Sequence, residues 1–403
     1  MSAEHTLTRL PDVVSSTLPR LKGIASFLVV FGVLGFVALL FTDVNRAWHA
    51  YLIGMVIPMF LSIAAIAFLA VHRLCGARWT APIKRVAEGL GSGLPLTLIA
   101  FIPFSILGMP YVYDWAFVAS SAQQHELMHS MQKAAWMTQS RVTLSTGIIL
   151  VIWIFIRSRL ISLSLAEEIG ADNRSKQVTW SVVFLLVMAY TFTLLSWDLL
   201  LSLNVHVASA MWGVYEFVGA IQAFLAVLAL CLVGFANGPL KGVIRAHTLK
   251  DVTTWLLAWS CVWAYITFAQ YLIVAFANMD EETQFYLMRL QHGYEYSALV
   301  EVFLRLPIPF FLLLSQHGRT RPVAVIIASS AVVLGALLQV MWQVVPALFP
   351  NKLPAYGPLP EMLVAGGFIG GYLLLARFFW QRYGLLARGD RDLLPAINAE
   401  HLH

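Results

Sequence analysis

The sequence is poor in charged residues. Of its 403 residues, 12% are charged and 59% are hydrophobic, and the mean hydropathy is +0.76. An average soluble protein is about 25% charged. A soluble globule of this length must keep much of its surface polar, so the composition excludes a soluble enzyme, a disordered chain and a disulfide scaffold. It indicates an all-α polytopic membrane protein.

Cysteine is also scarce. The three cysteines, Cys75, Cys231 and Cys261, are widely spaced and form no CxxC pair. This excludes an iron–sulfur cluster held by this chain alone and a c-type haem. A b-type haem needs axial ligands at matching depth on facing helices, whereas the histidines near the apolar runs lie towards their ends. These are His49, His72, His206, His247, His292 and His317. We therefore expect no metal or haem bound by this chain.

Ten apolar runs approach the length of a bilayer span, which requires about 20 mostly apolar residues. They lie near 21–41, 48–72, 90–108, 142–164, 178–197, 208–235, 252–277, 298–315, 322–346 and 361–383. Proline and glycine interrupt the third run, a break that membrane helices tolerate when neighbouring helices cover the freed backbone. No apolar core precedes the first run, so we expect no cleaved signal peptide.

The cations are distributed unevenly between the connections. With ten spans, 20 Lys and Arg residues lie on the side of the two termini and 5 on the opposite side. The positive-inside rule then places both termini in the cytoplasm. We predict a cytoplasmic segment 1–20, a membrane domain 21–383 and a cytoplasmic tail 384–403. A faint repeat between DVNRAWHAYLIG and LNVHVASAMWGVY favours two four-helix bundles, near 48–197 and 208–346, plus peripheral helices.

Ionisable side chains near or within the spans are the first functional candidates, because charge is costly in a bilayer. His49, at the outer start of the second run, suits a hydrogen bond to a quinone carbonyl or acceptance of a quinol proton. It equally suits an aromatic belt at the membrane interface. Asp198 and His206 flank one outer connection and suit proton uptake or release. Alternatively, they end one helix and help to begin the next.

Three charged residues lie deeper. Glu216 is about two turns into the sixth run at about 1.5 Å per residue, where a lone carboxyl is expected to be protonated or paired. Its two interpretations are a proton relay and a polar contact that joins helices. Glu301 and Arg305 have i,i+4 spacing in the eighth run, so we expect them to form an ion pair.

The seventh run carries a polar stripe. Ser260, Thr267, Tyr271 and Asn278 follow one another by seven, four and seven residues, which predicts a common helix face, and Gln270 lies beside it. Such a face suits a proton path. Hydrogen bonding between helices explains the same residues.

Several segments resemble the NrfD-like membrane subunits of alternative complex III, and the compact chain resembles the ActF type. The matching segments are NRAWHAYLIG, AVHRLCGARW, QKAAWMTQSRV, SWDLLLSLNVHVASAMWGVYEFVG, HTLKDVTTWLLAWSCVWAYITFAQYLIVAFANMDEET and LPIPFFLLLSQHGRTR. They cover residues 40–320, and the stretch 247–283 is the most specific.

The resemblance implies a subunit of a quinol-oxidising respiratory complex. Such subunits have ten helices with two four-helix bundles and bind no metal themselves. A paralogous NrfD-like subunit, an iron–sulfur protein and multihaem and monohaem cytochromes c would be its partners. These partners would carry the electrons to cytochrome c or a terminal oxidase. The resemblance also implies a quinone-binding or proton-conducting role for this chain.

Two other classes stay open at this point, a secondary transporter and a purely structural membrane anchor for redox partners. Against a transporter, the sequence shows no matched pair of broken helices and no cluster of charged residues at the midplane. Co-purification with haem proteins would favour the complex, and solute movement by the isolated chain would favour the transporter.

Overall fold

A computed structural model of the chain describes residues 18–117, 135–354 and 356–398. Within these ranges the chain is mostly helical and contains no strand. Ten of its helical segments are long and apolar enough to cross a membrane. The protein is therefore an all-α polytopic membrane protein, as the composition predicted. Parts of the predicted terminal segments (1–17 and 399–403) and of the connection after the third span (118–134) lie outside the described residues.

The described helices are numbered in chain order. They are α1 (Leu18–Thr42), α2 (Val44–Leu74), α3 (Lys84–Leu90), α4 (Leu94–Pro103), α5 (Met109–Val112), α6 (Asp114–Phe117), α7 (Gln139–Ala166), α8 (Arg174–Leu199), α9 (Trp212–Ala236), α10 (Ala246–Ala277), α11 (Asp280–Arg289), α12 (Tyr294–Arg305), α13 (Pro307–Leu313), α14 (Gln316–Thr320), α15 (Pro322–Leu348), α16 (Leu359–Tyr383) and α17 (Leu393–Asn398). Each predicted span overlaps one of the ten membrane-length segments, of which the third comprises α3 to α5 and the eighth comprises α12 and α13.

The third span is interrupted where glycine and proline predicted a break. A 3-10 turn at Gly91–Gly93 and a π turn at Phe104–Gly108 separate its short helices. The hydroxyl of Ser62 in α2 accepts a hydrogen bond from the Gly93 N–H at 2.9 Å. The Tyr51 hydroxyl donates to the Ala100 carbonyl at 2.9 Å. Side chains of α2 thus cover part of the irregular backbone.

The eighth span is also interrupted, which the sequence reading did not predict. Pro307 and Pro309 have no N–H, so the carbonyls four residues before them lose their helical partners. One of these is the carbonyl of Arg305, and the side-chain amide of Gln222 in α9 donates to it at 2.8 Å. The break therefore creates a polar backbone group within the membrane that a neighbouring helix must satisfy.

Helix α2 lies at the centre of the molecule. It packs against α4, α8, α9 and α16, and most of its residues are buried. Helices α9, α10, α12 and α15 pack on one another beyond it, while α7 packs on α4 and α8. Helix α16 contacts α1 so closely that a Cβ on Gly32 would overlap the backbone of Gly367. Small residues allow this approach, as in many membrane helix pairs.

Contacts between helix ends define two faces of the molecule. At the first face, Arg46 near the start of α2 binds Glu361 near the start of α16, with Nε 2.7 Å from Oε1. At the second face, Lys84 at the start of α3 binds Asp390, which follows α16, with Nζ 2.8 Å from Oδ2. The sequence predicts that the first face lies outside the cell and the second in the cytoplasm.

Candidate functional site

Charged and amide side chains form a buried group between α9, α12 and α15. This group is termed the bundle cluster and consists of Glu216, Gln222, Glu301, Arg305, Gln339 and Gln343. None of these residues is more than 4% exposed. Polar groups at this burial need partners from within the protein, because the bilayer supplies none.

Arg305 occupies the middle of the bundle cluster. Its Nε donates to Gln222 Oε1 at 2.8 Å, Nη1 donates to Gln339 Oε1, and Nη2 donates to the Gly219 carbonyl at 3.1 Å. The guanidinium also lies over the Trp263 ring, 4.3 Å from its centroid. Neutral oxygens and an aromatic face therefore make its closest contacts.

The two carboxyls of the cluster have different surroundings. Glu216 Oε1 accepts from the Gln343 amide at 2.6 Å, and Oε2 accepts from the Gln339 amide at 3.3 Å. Glu301 Oε1 lies 3.8 Å from Arg305 Nη1, which is the expected i,i+4 contact. That distance is too long for a hydrogen bond, and no described residue gives Glu301 Oε1 a hydrogen-bond partner.

The cluster reaches from near the first face to the middle of the membrane. Glu216 lies four residues into α9 and Gln222 lies ten, which places them about 6 Å and about 15 Å along the helix axis. Gln222 in turn donates to Ser260 of α10 at 2.9 Å. Hydrogen bonds thus connect Glu216, Gln339, Arg305 and Gln222 over about 9 Å of helix rise, which is roughly a third of the 30 Å hydrocarbon thickness.

Charge does not balance in the cluster if every group is ionised. Two carboxyls face one guanidinium, so the cluster is electrically neutral only when one carboxyl holds a proton. A buried group with excess charge is costly. The arrangement therefore suits the uptake and release of one proton at Glu216 or Glu301.

An apolar cleft of about 200 Å³ adjoins the cluster between α2, α9, α15 and α16. Glu216 and Gln339 lie at its wall, whereas most of the other lining side chains are aliphatic or aromatic. Leu334, which also lines it, is 49% exposed, so the cleft reaches the outer surface of the helix bundle. A dry cavity of about 150 Å³ can hold one benzene ring, so the cleft can accept one substituted ring that enters from the lipid.

Asp198 forms a separate site at the first face. Arg141 of α7 binds it with two parallel hydrogen bonds, Nη1 to Oδ2 at 2.6 Å and Nη2 to Oδ1 at 2.8 Å. A cavity of about 410 Å³ adjoins this pair and is lined by the indoles of Trp115, Trp136 and Trp197. Such fork-to-fork pairing fixes the position of the carboxylate against the guanidinium.

The two outer histidines do not join Asp198 in this cavity. His206 is exposed in the turn before α9 and is not among the lining residues. His49 is buried, and its Nδ1 lies 2.7 Å from the Asn45 carbonyl within α2. The structure thus places Arg141, and neither histidine, in this cavity beside Asp198, and the roles of His49, Asp198 and His206 remain predictions.

The polar stripe of α10 is not one continuous buried face. Ser260 and Gln270 are buried, but Tyr271 is 42% exposed and packs on Tyr286 of α11. Thr267 donates only to the Trp263 carbonyl of its own helix, at 2.7 Å. Asn278 follows the helix with φ 47° and is exposed. Of the predicted stripe residues, Ser260 is the one for which the described contacts show a hydrogen bond with the bundle cluster, because it accepts from Gln222.

A second, partly buried group of charges lies towards the second face. This group is termed the ion-pair network and consists of Arg73, Lys84, Arg85, Glu88, Glu167, Glu168 and Asp390. Arg85 and Glu88 have fully buried side chains, and Arg85 Nη1 lies 2.5 Å from Glu88 Oε2. The network joins the third span to the 3-10 turn after α7 and to the segment after α16.

The sequence reading missed Arg141, Gln222, Gln339 and Gln343. A glutamine within an apolar run is an available signal, and Gln339 and Gln343 have i,i+4 spacing on α15. Arg141 entered only the count of outer cations. Its pairing with Asp198 depends on the packing of α7 against α8, which no local pattern reveals.

No protein-family model and no curated protein matches this chain. Within the described ranges, no group of three or more His, Cys, Asp or Glu side chains converges in a way that could hold a metal ion. Architecture and side-chain geometry therefore carry the functional argument.

Proposed function

We propose that the chain is a membrane subunit of a quinol-oxidising respiratory complex, similar to the NrfD-like subunits of alternative complex III. The observation that carries this proposal is the position of Glu216. It belongs to a cluster that is neutral only with a shared proton, and it lines an apolar cleft that opens towards lipid. A quinol is an apolar molecule that arrives from the bilayer and releases protons when it is oxidised.

The chemistry asked of this chain is modest. Oxidation of a quinol to the quinone releases two electrons and two protons. In the cleft, a quinol hydroxyl would donate to the Glu216 carboxylate, and the Gln339 amide would donate to the oxygen of the ring. Protons would then leave towards the first face, because Glu216 is the cluster carboxyl nearest that end of α9. The electrons require cofactors of partner subunits.

The proposed partners are a paralogous NrfD-like subunit, an iron–sulfur protein and multihaem and monohaem cytochromes c. Cytochrome c or a terminal oxidase would be the final acceptor. The distribution of cations supports a bacterial cytoplasmic membrane with both termini in the cytoplasm. In that orientation the first face, which includes the Asp198 cavity, would meet the cytochromes.

A secondary transporter is the second candidate, and two observations favour it. The third and eighth spans are both interrupted, and Arg305 carries charge near mid-depth. Both observations weaken the sequence-based argument against a transporter. However, the two interrupted spans pack in different helix groups, and the cleft beside Glu216 is mainly apolar, which suits a lipid-soluble substrate better than a polar solute.

The test is quinol oxidation by the purified complex with Glu216→Gln. We expect turnover to fall about a hundredfold, because general acid–base groups contribute about 10²–10⁴ to rate. Asp280→Asn, at an exposed acid of the same face, is the matched control and should keep full turnover. Retained haem partners together with wild-type turnover in Glu216→Gln would contradict the proposal. Solute uptake by proteoliposomes of the isolated chain would support the transporter.

A further inference from the structure

Arg289, the last residue of α11, is a fully buried cation outside the bundle cluster. Its guanidinium lies over the Phe285 ring, 3.7 Å from the centroid. Its three nitrogens donate to the backbone carbonyls of Phe285, Trp342 and Gln343. Burial of a guanidinium is costly unless hydrogen bonds compensate it. Here these carbonyls, rather than a carboxylate, account for its position.

Two of the three carbonyls belong to one turn of α15. Pro346 has no N–H, so the Trp342 carbonyl four residues before it loses its helical partner. Arg289 Nε donates to that carbonyl at 3.1 Å, and Nη2 donates to the Gln343 carbonyl at 2.7 Å. The Trp342 indole donates in return to the Arg289 carbonyl at 3.3 Å. Arg289 thus holds this turn at the point where proline weakens the helix.

Gln343 connects the same turn to Glu216. Its amide nitrogen donates to Glu216 Oε1 at 2.6 Å. Its own Oε1 is buried, and no described residue donates to it. The direction of the amide therefore depends on the backbone position of Gln343, which Arg289 contacts directly.

The two carboxyl oxygens of Glu216 differ in their relation to the apolar cleft. Gln339, whose amide lies 3.3 Å from Oε2, lines the cleft together with Glu216. Gln343 and Arg289 are not among the lining residues, so they hold Oε1 from outside the cleft. The contact at Oε2 is longer than an ordinary N–H···O bond of about 2.9–3.0 Å. Oε2 therefore keeps the capacity to accept from a donor in the cleft.

We propose that Arg289 is a positioning residue for Glu216 and that it acts through Gln343. This inference rests on the proposed function and assigns separate roles to the two carboxyl oxygens. Arg289 fixes the turn, Gln343 fixes Oε1, and Oε2 faces the quinol. When the quinol is deprotonated, its O–H bond breaks and the proton binds Oε2. The electron pair of that bond stays on the quinol oxygen until partner cofactors take up the electrons.

The experiment compares quinol oxidation by the purified complex with Arg289→Met, with Gln343→Leu and with both changes. We expect kcat to fall about tenfold in each single variant, the effect of one lost hydrogen bond to a charged group. KM for quinol should stay the same, because neither residue lines the cleft. The double variant should be no slower than Gln343→Leu, since the two residues act in series. Independent losses, about a hundredfold together, would overturn the proposal.

Arg319→Met is the matched control. Arg319 also donates to two consecutive backbone carbonyls, those of Leu313 and Leu314, at 2.7 Å and 3.1 Å. It lies at the opposite face and has no contact with Gln343. Its replacement should leave kcat per folded complex unchanged. An equal fall of kcat in Arg319→Met and Arg289→Met would reduce Arg289 to a general support of the fold.

A second measurement does not depend on turnover. The infrared band of the protonated Glu216 carboxyl is identified by its loss in Glu216→Gln. The band should move to higher frequency in Arg289→Met and in Gln343→Leu, because the carboxyl loses a hydrogen-bond donor in both. If Glu216→Gln keeps wild-type turnover, the proposed function fails and the band still tests the positioning. If Glu216→Gln loses turnover and Arg289→Met moves neither kcat nor the band, this inference alone fails.

Arg289→Lys carries the test if Arg289→Met does not fold. A lysine ammonium keeps the charge but lacks the planar fork that reaches both carbonyls. We expect the same shift of the Glu216 band at a smaller size. An unshifted band in folded Arg289→Lys would contradict the proposal.

Discussion

The bundle cluster is buried and the ion-pair network is partly buried, and the two regions satisfy their charges differently. In the network, Arg85 Nη1 lies 2.5 Å from Glu88 Oε2, and Arg85 Nη2 lies 2.8 Å from Glu168 Oε1. In the cluster, the carboxyl of Glu301 lies 3.8 Å from the only guanidinium, Arg305, whose hydrogen bonds go to amide and carbonyl oxygens. Each charged side chain of the network lies within 3.0 Å of an opposite charge. In the cluster, Glu216 contacts amides, and Glu301 lies 3.8 Å from the guanidinium.

This difference separates a structural role from a chemical one. Opposite charges in direct contact stabilise each other's ionised forms, so the network resists any change in protonation. Amide partners can hydrogen-bond to a carboxyl in either protonation state, since an amide both donates and accepts. The cluster is therefore the region able to take up a proton without losing its hydrogen bonds.

The largest expected effect is the loss of stability in Arg85→Leu. Removal of one partner leaves Glu88 and Glu168 short of a cation, and breaking a buried pair costs about 3–5 kcal/mol. Denaturant unfolding of the chain in mild detergent measures this. Arg78→Leu is the control, because its side chain is 64% exposed and its pair with Asp392 is long, at 3.6 Å. Equal losses in the two variants would show that the network is not a structural support.

The same isosteric change in the two regions sharpens the comparison. Glu88→Gln removes the anion that faces Arg73 and Arg85. We expect this change to lower the free energy of unfolding by about 3 kcal/mol. Glu216→Gln replaces one hydrogen-bonding group by another, and we expect it to lower the free energy of unfolding by about 1 kcal/mol. Quinol oxidation per folded complex should fall only in Glu216→Gln. The opposite pattern would exchange the roles assigned to the two regions.

Gln222→Leu should have a smaller effect on stability than Arg85→Leu. It leaves the Arg305 carbonyl, already freed by Pro309, and Arg305 Nε without partners, and an unmet buried group costs about 1–3 kcal/mol. Thr267→Val is the comparison, since its hydroxyl donates only within α10. Its unfolding free energy should change by less than about 0.5 kcal/mol. Similar values for both variants would mean that the proline break does not depend on Gln222.

The smallest expected effect is a pH dependence at the end of the network. Burial raises the pKa of Asp390. The Lys84 ammonium and a backbone N–H together lower this pKa by more than burial raises it, so it lies below its ordinary value. Such a carboxylate stabilises the fold above the ordinary aspartate pKa of about 3.9, and this contribution is lost as the pH falls through the lowered pKa.

Hydrogen exchange in residues 386–398 measures this effect. The protection factor there, which corrects for the slower intrinsic exchange at low pH, should fall in acid in the wild-type chain, and in Asp390→Asn it should be low already at neutral pH. An acid step of equal size in both proteins would show that another group holds this segment.

The sequence allowed the position and number of the spans to be predicted, because the length of an apolar run is a local property. The break at Gly91–Gly93 could also be predicted, because glycine and proline alter the backbone within a few residues. Glu216, Glu301 and Arg305 could be selected because a charge inside an apolar run is conspicuous. The hydrogen-bond and ion-pair partners of the candidate residues could not be predicted from the sequence. Gln339 follows Glu216 by 123 positions and Arg141 precedes Asp198 by 57, and only helix packing brings each pair together.

The amino-acid sequence by itself determined that the chain is helical and membrane-spanning, because apolar runs of this length are stable only as helices in a bilayer. The tertiary structure alone decided which buried charges are neutralised. It paired Arg85 with Glu88 and Glu168, gave Arg305 amide partners, and placed Asp198 against Arg141 rather than His206. Charge compensation acts over a few ångströms in space, and residues distant in the sequence supply it.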